Sequence, residues 1–443
     1  MKPLVLVTAP VATRSGYGSH SRDICRSLIA MDKFDIKIWP VRWGSTPQNA
    51  LNEKDPNDVP IIERLLESPN TDRQPDIHFH IVVPNEFQAV AKYNIGITAG
   101  LETTICPPEW IEGLNRMNLN IVPANFIKES LSKTVFDKHN NETKQKIGEI
   151  RCQTPIEVLF EGADTNIYKP TKEFSKDLVD EFKSIKEDFC FLFVGHWLQG
   201  GLGHDRKDLG MLVKTFLEAF KNQKNQPALI LKTSGASPSI LDREDLLTKI
   251  KQIKNSVDGK LPNIYILHGD LEDDEMNDLY NHPKVKVHVS FTHGEGFGRP
   301  LLEASLSAKP VIAPNWSGHV DFLRGGNAIL LPGGLNDVKK ESLQKGMHID
   351  GSQWFTVNYN YAFKTLKEIF NNYNKYKLKG KKLAIVNKTK FSLNNMTKKF
   401  EEILDKYLPE FPKEVKLQLP KLKKIGDAKE LPKIKLPTLK NIK

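Results

Sequence analysis

Two successive series of short apolar segments, separated by stretches of helical periodicity, constrain this chain more than any other feature. The first series is Leu4–Thr8, Asp35–Trp39, Ile77–Val83, Asn94–Thr98, Leu119–Val122 and Ile156–Phe160. The second is Phe189–Val194, Leu229–Lys232, Asn263–Leu267, Val285–Phe291 and Pro310–Ala313. These runs are rich in Val, Ile and Phe and show little polar alternation, the pattern of strands covered on both faces. They predict parallel sheets wrapped by helices, and two series predict two doubly wound, Rossmann-like α/β domains. The clearest helix is Asp208–Asn222. Its apolar residues Leu209, Leu212, Val213, Phe216, Leu217 and Phe220 form one stripe, and Asp208 is its expected N-cap.

The break between domains is expected at Gly162–Pro170, separating a domain at 1–165 from one at 171–390. A late helix, Met396–Leu408, falls in the segment 391–410. From 411 to 443 the chain is Lys, Leu and Pro, with prolines at 412, 420, 432 and 437. It reads as a basic tail without fixed structure. Residues 371–443 hold 20 Lys, no Arg and seven acidic residues, a charge of +13 against +10 for the whole chain, so the rest carries −3. The basic character is an end feature, which argues against a nucleic-acid field over the whole surface but allows a basic arm. Four widely spaced cysteines (Cys25, Cys106, Cys152, Cys190) exclude a disulfide scaffold or zinc ribbon and suit a reducing, cytoplasmic setting. No apolar run approaches the ~18 residues of a membrane span.

Three glycine-bearing segments are candidates for chemistry. The strongest is His293-Gly294-Glu295-Gly296-Phe297-Gly298-Arg299-Pro300-Leu301-Leu302-Glu303, following the strand Val285–Phe291. Its glycines make a tight turn at a strand end, and Pro300 suits a first helical turn. Helix N–H groups there would face an anion such as a diphosphate. Glu295 and Glu303, eight positions apart, can accept hydrogen bonds from sugar or ribose hydroxyls. The alternative is a plain turn, with Glu303 favouring the helix dipole. The second segment runs from Gly195-His196 to Arg206-Lys207 and leads into the helix at Asp208. Two cations before a helix start suit a phosphate pair, or else a solvated loop. The third is Ser15-Gly16-Tyr17-Gly18, where the glycines allow close backbone approach to a ligand or simply form a βα turn. His78 and His80 read as packing histidines, and the acidic cluster Asp270–Glu275 reads as helix capping rather than a metal site.

Taken together, these residues resemble a retaining, nucleotide-sugar-dependent glycosyltransferase of the family 4 type with the GT-B fold. The E-x7-E motif matches Glu295 to Glu303 within GEGFGRPLLEAS, followed by AKPVIAPNWSG at 308–318. ITAGLETTICPPEW (97–110), IVPANF (121–126) and IEVLFEGADTNIYKP (156–170) also match. The resemblance implies two Rossmann-like domains facing a cleft, with a C-terminal helix crossing back to the first. It implies that Arg206 and Lys207 bind the diphosphate, Glu295 the donor sugar and Glu303 the ribose. The catalytic set is then Glu295, Lys207 and Arg206. Gly16, Gly18, His196, Gly296, Phe297, Gly298 and Glu303 contact the donor, and Glu102 faces the sugar where relatives often have histidine. His196 stands where many relatives have arginine. No metal and no cofactor beyond the nucleoside diphosphate sugar is implied. The implied acceptor is a glycan, lipid-linked sugar or protein. The tail 411–443 adds two options, DNA with hydroxylated bases or an anionic surface, beside the plain reading that it only solvates the C-terminus. A non-catalytic nucleotide-sugar-binding scaffold and a sugar-nucleotide epimerase are the competing classes.

Overall fold

A computed structural model describes residues 2–140, 142–235 and 238–411. The tail read from 411 onward lies, from residue 412, outside the described residues. The chain first lays down β1 (Leu4–Ala9), β2 (Asp35–Pro40), β3 (Ile77–Ile81), β4 (Tyr93–Ile97) and β5 (Leu119–Val122). A hairpin of β6 (Val135–His139) and β7 (Lys146–Arg151) precedes β8 (Ile156–Val158). Six of these form one parallel sheet in the order β2-β1-β3-β4-β5-β8. The second sheet takes β9 (Cys190–Val194), β10 (Ala228–Lys232), β11 (Ile264–Leu267), β12 (Val285–Val289), β13 (Val311–Pro314) and β14 (Ile329–Leu331). Its order is β11-β10-β9-β12-β13-β14, again with every pairing parallel. A last hairpin joins β15 (Gly333–Asp337) to β16 (Gln353–Val357). These are two Rossmann-like α/β lobes. The hairpin strands β6, β7 and β15 carry no apolar-run signal because they are largely exposed, and β14 is three residues long; β16 buries Trp354, Phe355 and Val357 but is interrupted by Thr356.

Register fixes which residues share a face. Val7 lies beside Phe79, and Phe79 meets Phe400 edge-on with ring centroids 5.7 Å apart. Phe400 belongs to the last described helix, Leu393–Tyr407, so one face of the first sheet is packed by a helix from the far end of the chain. That helix also lies along the first helix, Gly16–Met31. Ser27 and Thr397 hydroxyls are 2.8 Å apart, and Lys33 reaches Glu401 at 2.8 Å and Asp405 at 2.9 Å. The strand-like turn that delivers it is pinned by Ala163 N–H to Phe391 O (2.9 Å) and Leu393 N–H to Ala163 O (2.8 Å). The second lobe has an aromatic core in which Phe216 and Phe220 cover Phe191.

One local expectation fails. The helix runs Leu209–Phe220, but Asp208 is not its side-chain cap. Asp208 adopts a left-handed conformation (φ 50°), which aims its carboxylate away from the helix and onto the Tyr359 hydroxyl at 2.7 Å. Asp205 does the capping instead, accepting from Leu209 N–H at 3.1 Å and Gly210 N–H at 3.4 Å. The acidic cluster does cap a helix: Glu272 and Glu275 form a reciprocal capping box on Asp273–Asn281. His78 and His80 are buried on β3.

Phe400 is fully buried against the first sheet. Phe400→Ala is expected to cost about 3–5 kcal/mol, read as a lowered denaturation midpoint in urea. An unchanged midpoint would show that the returning helix does not contribute to holding the first lobe.

Candidate functional site

In the second sheet the strand order reverses between β9 and β12. Loops leaving the carboxyl ends of two such strands diverge and open a crevice, the usual ligand position in an open α/β sheet. Here those loops are 195–208 and 290–298. The first is anchored by Asp205 on the helix N-terminus, which places Arg206 and Lys207 directly before it. The second is anchored by His293, which stacks on Trp354 (4.3 Å) and donates from Nδ1 to Phe355 O at 2.7 Å. Burial pushes the His293 imidazole down to about 4, so it packs as a neutral ring. His293 N–H bonds Arg206 O at 3.0 Å and ties the two loops together.

The two loops bring Lys207 onto Glu295. The Lys207 ammonium donates to Glu295 Oε1, and Arg206 Nη1 lies 4.0 Å from Oε2. Burial opposes the charge on Glu295, but Lys207 and Arg206 outweigh it and hold the carboxyl below its ordinary value. Backbone bonds fix the residue: Glu295 N–H donates to Ser317 Oγ at 2.8 Å, and Gly318 N–H to Glu295 O at 2.9 Å. The opposite lobe closes on this group. Arg206 donates to Glu102, which lies on the loop after β4. A Cβ on Gly294 would collide with Glu102, and one on Gly296 with the Ala99 carbonyl. Gly298 has φ 95° and no room beside His319. The glycines of this loop therefore serve close approach between lobes as well as a turn.

Glu303 lies in the short helix Arg299–Ser305, with Pro300 in its first turn. Its carboxylate accepts from Arg299 Nε at 2.8 Å and from the Tyr280 hydroxyl at 3.3 Å. The same Arg299 donates across the seam to Asp23 of the first helix. Burial raises Glu303 to about 7 against the pull of Arg299. Glu161, at the junction after β8, is raised further, to about 8, chiefly by burial. It has no hydrogen-bond partner among the described residues, and it is 7% exposed.

Arg206, Lys207, Glu295, Gly296, Gly298, Glu303 and Glu102 thus converge at the seam between the lobes. Other candidates sit differently. Phe297 is a core residue against Phe322 (5.0 Å), so only its backbone can face a ligand. The Nδ1 of His196 lies 3.3 Å from Ser234 Oγ, and desolvation together with the charges of Lys207 and Arg206 holds its imidazole below the ordinary value. Gly16 and Gly18 are not a free loop. They form the first turn of the helix Gly16–Met31, capped by Ser15, and a Cβ on Gly18 would strike the Thr13 carbonyl rather than a ligand. The sequence reading missed Arg299, Asp23 and Glu161 as a cross-lobe group. Arg299 stood inside the motif, but its partner is 276 positions away and no local pattern marks it.

Residues 188–341 match the family described as glycosyl transferases group 1. No curated protein matches the sequence significantly. Among solved structures, Anabaena HepE in complex with UDP-glucose is similar at TM-score 0.58 and 14% identity, covering 91% of this chain and 100% of that one. Sucrose-phosphate synthase from Thermosynechococcus elongatus gives 0.60 and 12%, covering 92% and 99%. A glycosyltransferase from Rickettsia africae gives 0.58 and 14%, covering 92% and 99%. The fold is GT-B.

Raised carboxyls set a pH dependence. A folded state that holds Glu161 and Glu303 protonated up to about 8 and 7 binds protons the unfolded chain has lost. Their contribution to stability is therefore present at low pH and falls as pH rises from the ordinary carboxyl value through these two. Glu161→Gln is expected to flatten that fall between pH 5 and 9 and to raise the melting temperature at pH 9. Parallel melting curves for variant and parent across this range would contradict it.

Proposed function

We propose that the protein transfers a sugar from a UDP-sugar to an acceptor hydroxyl. The observation that carries this reading is the convergence of Arg206, Lys207 and Glu295 at the switch-point crevice of a lobe whose sequence matches group 1 glycosyl transferases. Structures of HepE with UDP and with UDP-glucose support a uridine donor. On donor entry, Arg206 and Lys207 exchange their carboxylate partners for diphosphate oxygens. Glu295 is then released to accept hydrogen bonds from sugar hydroxyls. Glu303, already oriented by Arg299 and Tyr280, accepts from the ribose.

The reaction breaks the bond between the anomeric carbon and the diphosphate oxygen, and the electron pair leaves with the phosphate. Two cations in a buried setting stabilise that charge as it grows, which is where preorganised electrostatics contributes most. The acceptor oxygen attacks from the face the diphosphate leaves, so configuration is retained. The departing phosphate oxygen takes the acceptor proton. In this reading Arg206 and Lys207 supply the charge compensation that a divalent cation would otherwise supply. The acceptor is a glycan, lipid-linked sugar or protein hydroxyl.

The test is release of UDP from a panel of UDP-sugars, with mass analysis of candidate acceptors. Lys207→Ala is expected to lower turnover about 10²–10³-fold, the usual effect of losing one preorganised donor to a developing anion. Undiminished turnover in the purified variant would remove Lys207 from that role. Tight donor binding without turnover on any acceptor would favour a nucleotide-sugar-binding scaffold.

A further inference from the structure

The crossover from β2 to β3, residues 41–76, contains only one helical turn, Val59–Ile62. A parallel sheet is ordinarily covered by helices on both faces. No helix from this crossover covers the face of β1 and β3 turned away from Phe79 and Phe400; the segment around Phe87 and Gln88 packs on it instead, and a cleft of about 970 Å3 adjoins it. That volume is at the upper end of the range for small-molecule sites. The strand order of the first sheet reverses between β1 and β3, the two strands whose face borders this cleft. It is a separate place from the crevice built by Lys207 and Glu295.

The floor is polar where a buried central strand would be apolar. By register, Leu6 lies beside His78 and Thr8 beside His80, all on the face that lines the cleft. The backbone of Gln88 engages both imidazoles. Its carbonyl lies 3.1 Å from His78 Nδ1, and its N–H donates to His80 Nδ1 at 3.0 Å. The second bond makes His80 Nδ1 an acceptor, so the neutral ring carries its proton on Nε2. That N–H has no partner among the described residues, although His80 is only 6% exposed and lines the cleft. Arg42 also lines the cleft. It is exposed and has no hydrogen bond or ion pair among the described residues. Half-buried Trp39 supplies a flat apolar wall. The remaining charged lining residues are Arg73, which is bonded to Asp76 at 2.9 Å, and Glu86.

We propose that this cleft binds a saccharide bearing a carboxylate or sulfate group. The anion pairs with Arg42, a ring or hydroxyl oxygen accepts from His80 Nε2–H, and a sugar face lies on Trp39. The choice of a saccharide rests on the glycosyltransferase reading; the anion and the hydrogen-bond acceptor rest on Arg42 and His80 alone.

The full-length protein is titrated by calorimetry with a hyaluronan tetrasaccharide, a heparin-derived tetrasaccharide and neutral maltotetraose. UDP-glucose is titrated separately on the same samples. At least one acidic sugar is expected to bind ten or more times tighter than maltotetraose. Arg42→Ala is expected to weaken that binding about tenfold or more, as for loss of a charge-assisted hydrogen bond. His80→Phe, which removes the N–H, is expected to weaken it as well. Arg42 is exposed, so its truncation leaves the fold intact and decides the matter should His80→Phe fail to fold. UDP-glucose affinity is expected to be unchanged by Arg42→Ala. No binding by either acidic sugar, equal binding of maltotetraose, or indifference to Arg42→Ala overturns the proposal. Binding of the acidic sugar with no binding of UDP-glucose or of UDP itself, titrated alongside, upholds the cleft and sinks the donor reading.

Discussion

A buried charge persists only with a partner, and the seam of this molecule is built around that requirement. Lys207 is 8% exposed and Glu295 9%, so neither could remain ionised there alone. Each holds the other, Arg206 holds Glu102, and Arg299 holds both Glu303 and Asp23. Two of these pairs reach across from one lobe to the other. The lobes are thus closed on a set of carboxylates that occupy the cations which, in the proposed function, an incoming diphosphate takes. A ligand bearing two negative charges can replace them without leaving a cation uncompensated. A neutral ligand could not.

The fold delivers these groups by simple means. In the second sheet the reversal of strand order at β9 and β12 brings two loop ends together. Asp205 and His293 then fix those loops from within, so the cations and the carboxylate are positioned by residues that need not touch a ligand. The returning helix Leu393–Tyr407 completes the first lobe, which makes the packing of one lobe depend on chain that follows the other. Glu161 sits at that junction, close to Arg299, Asp23 and Glu303 in electrostatic terms.

Much of the fold was legible because buried parallel strands leave continuous apolar runs. Eleven of the twelve strands of the two sheets fall within or beside a predicted run, and the missing one, Ile329–Leu331, is an edge strand of three residues. The hairpin strands Val135–His139, Lys146–Arg151 and Gly333–Asp337 were illegible because solvent-facing strands carry no apolar stripe. Among the candidate site residues, the convergence of Glu295, Arg206 and Lys207 was legible because their local motifs follow the ends of strands. The Asp23–Arg299 pair was not, since an ion pair between distant segments leaves no spacing signature. Asp208 was misread as a cap because its identity suits one, whereas its positive φ turns the side chain elsewhere.

The most direct test is a crystal structure of the protein with UDP. The account predicts the diphosphate within hydrogen-bond reach of the Lys207 ammonium and the Arg206 guanidinium, with Glu102 displaced from Arg206. UDP bound elsewhere, with both cations still on their carboxylates, would contradict it.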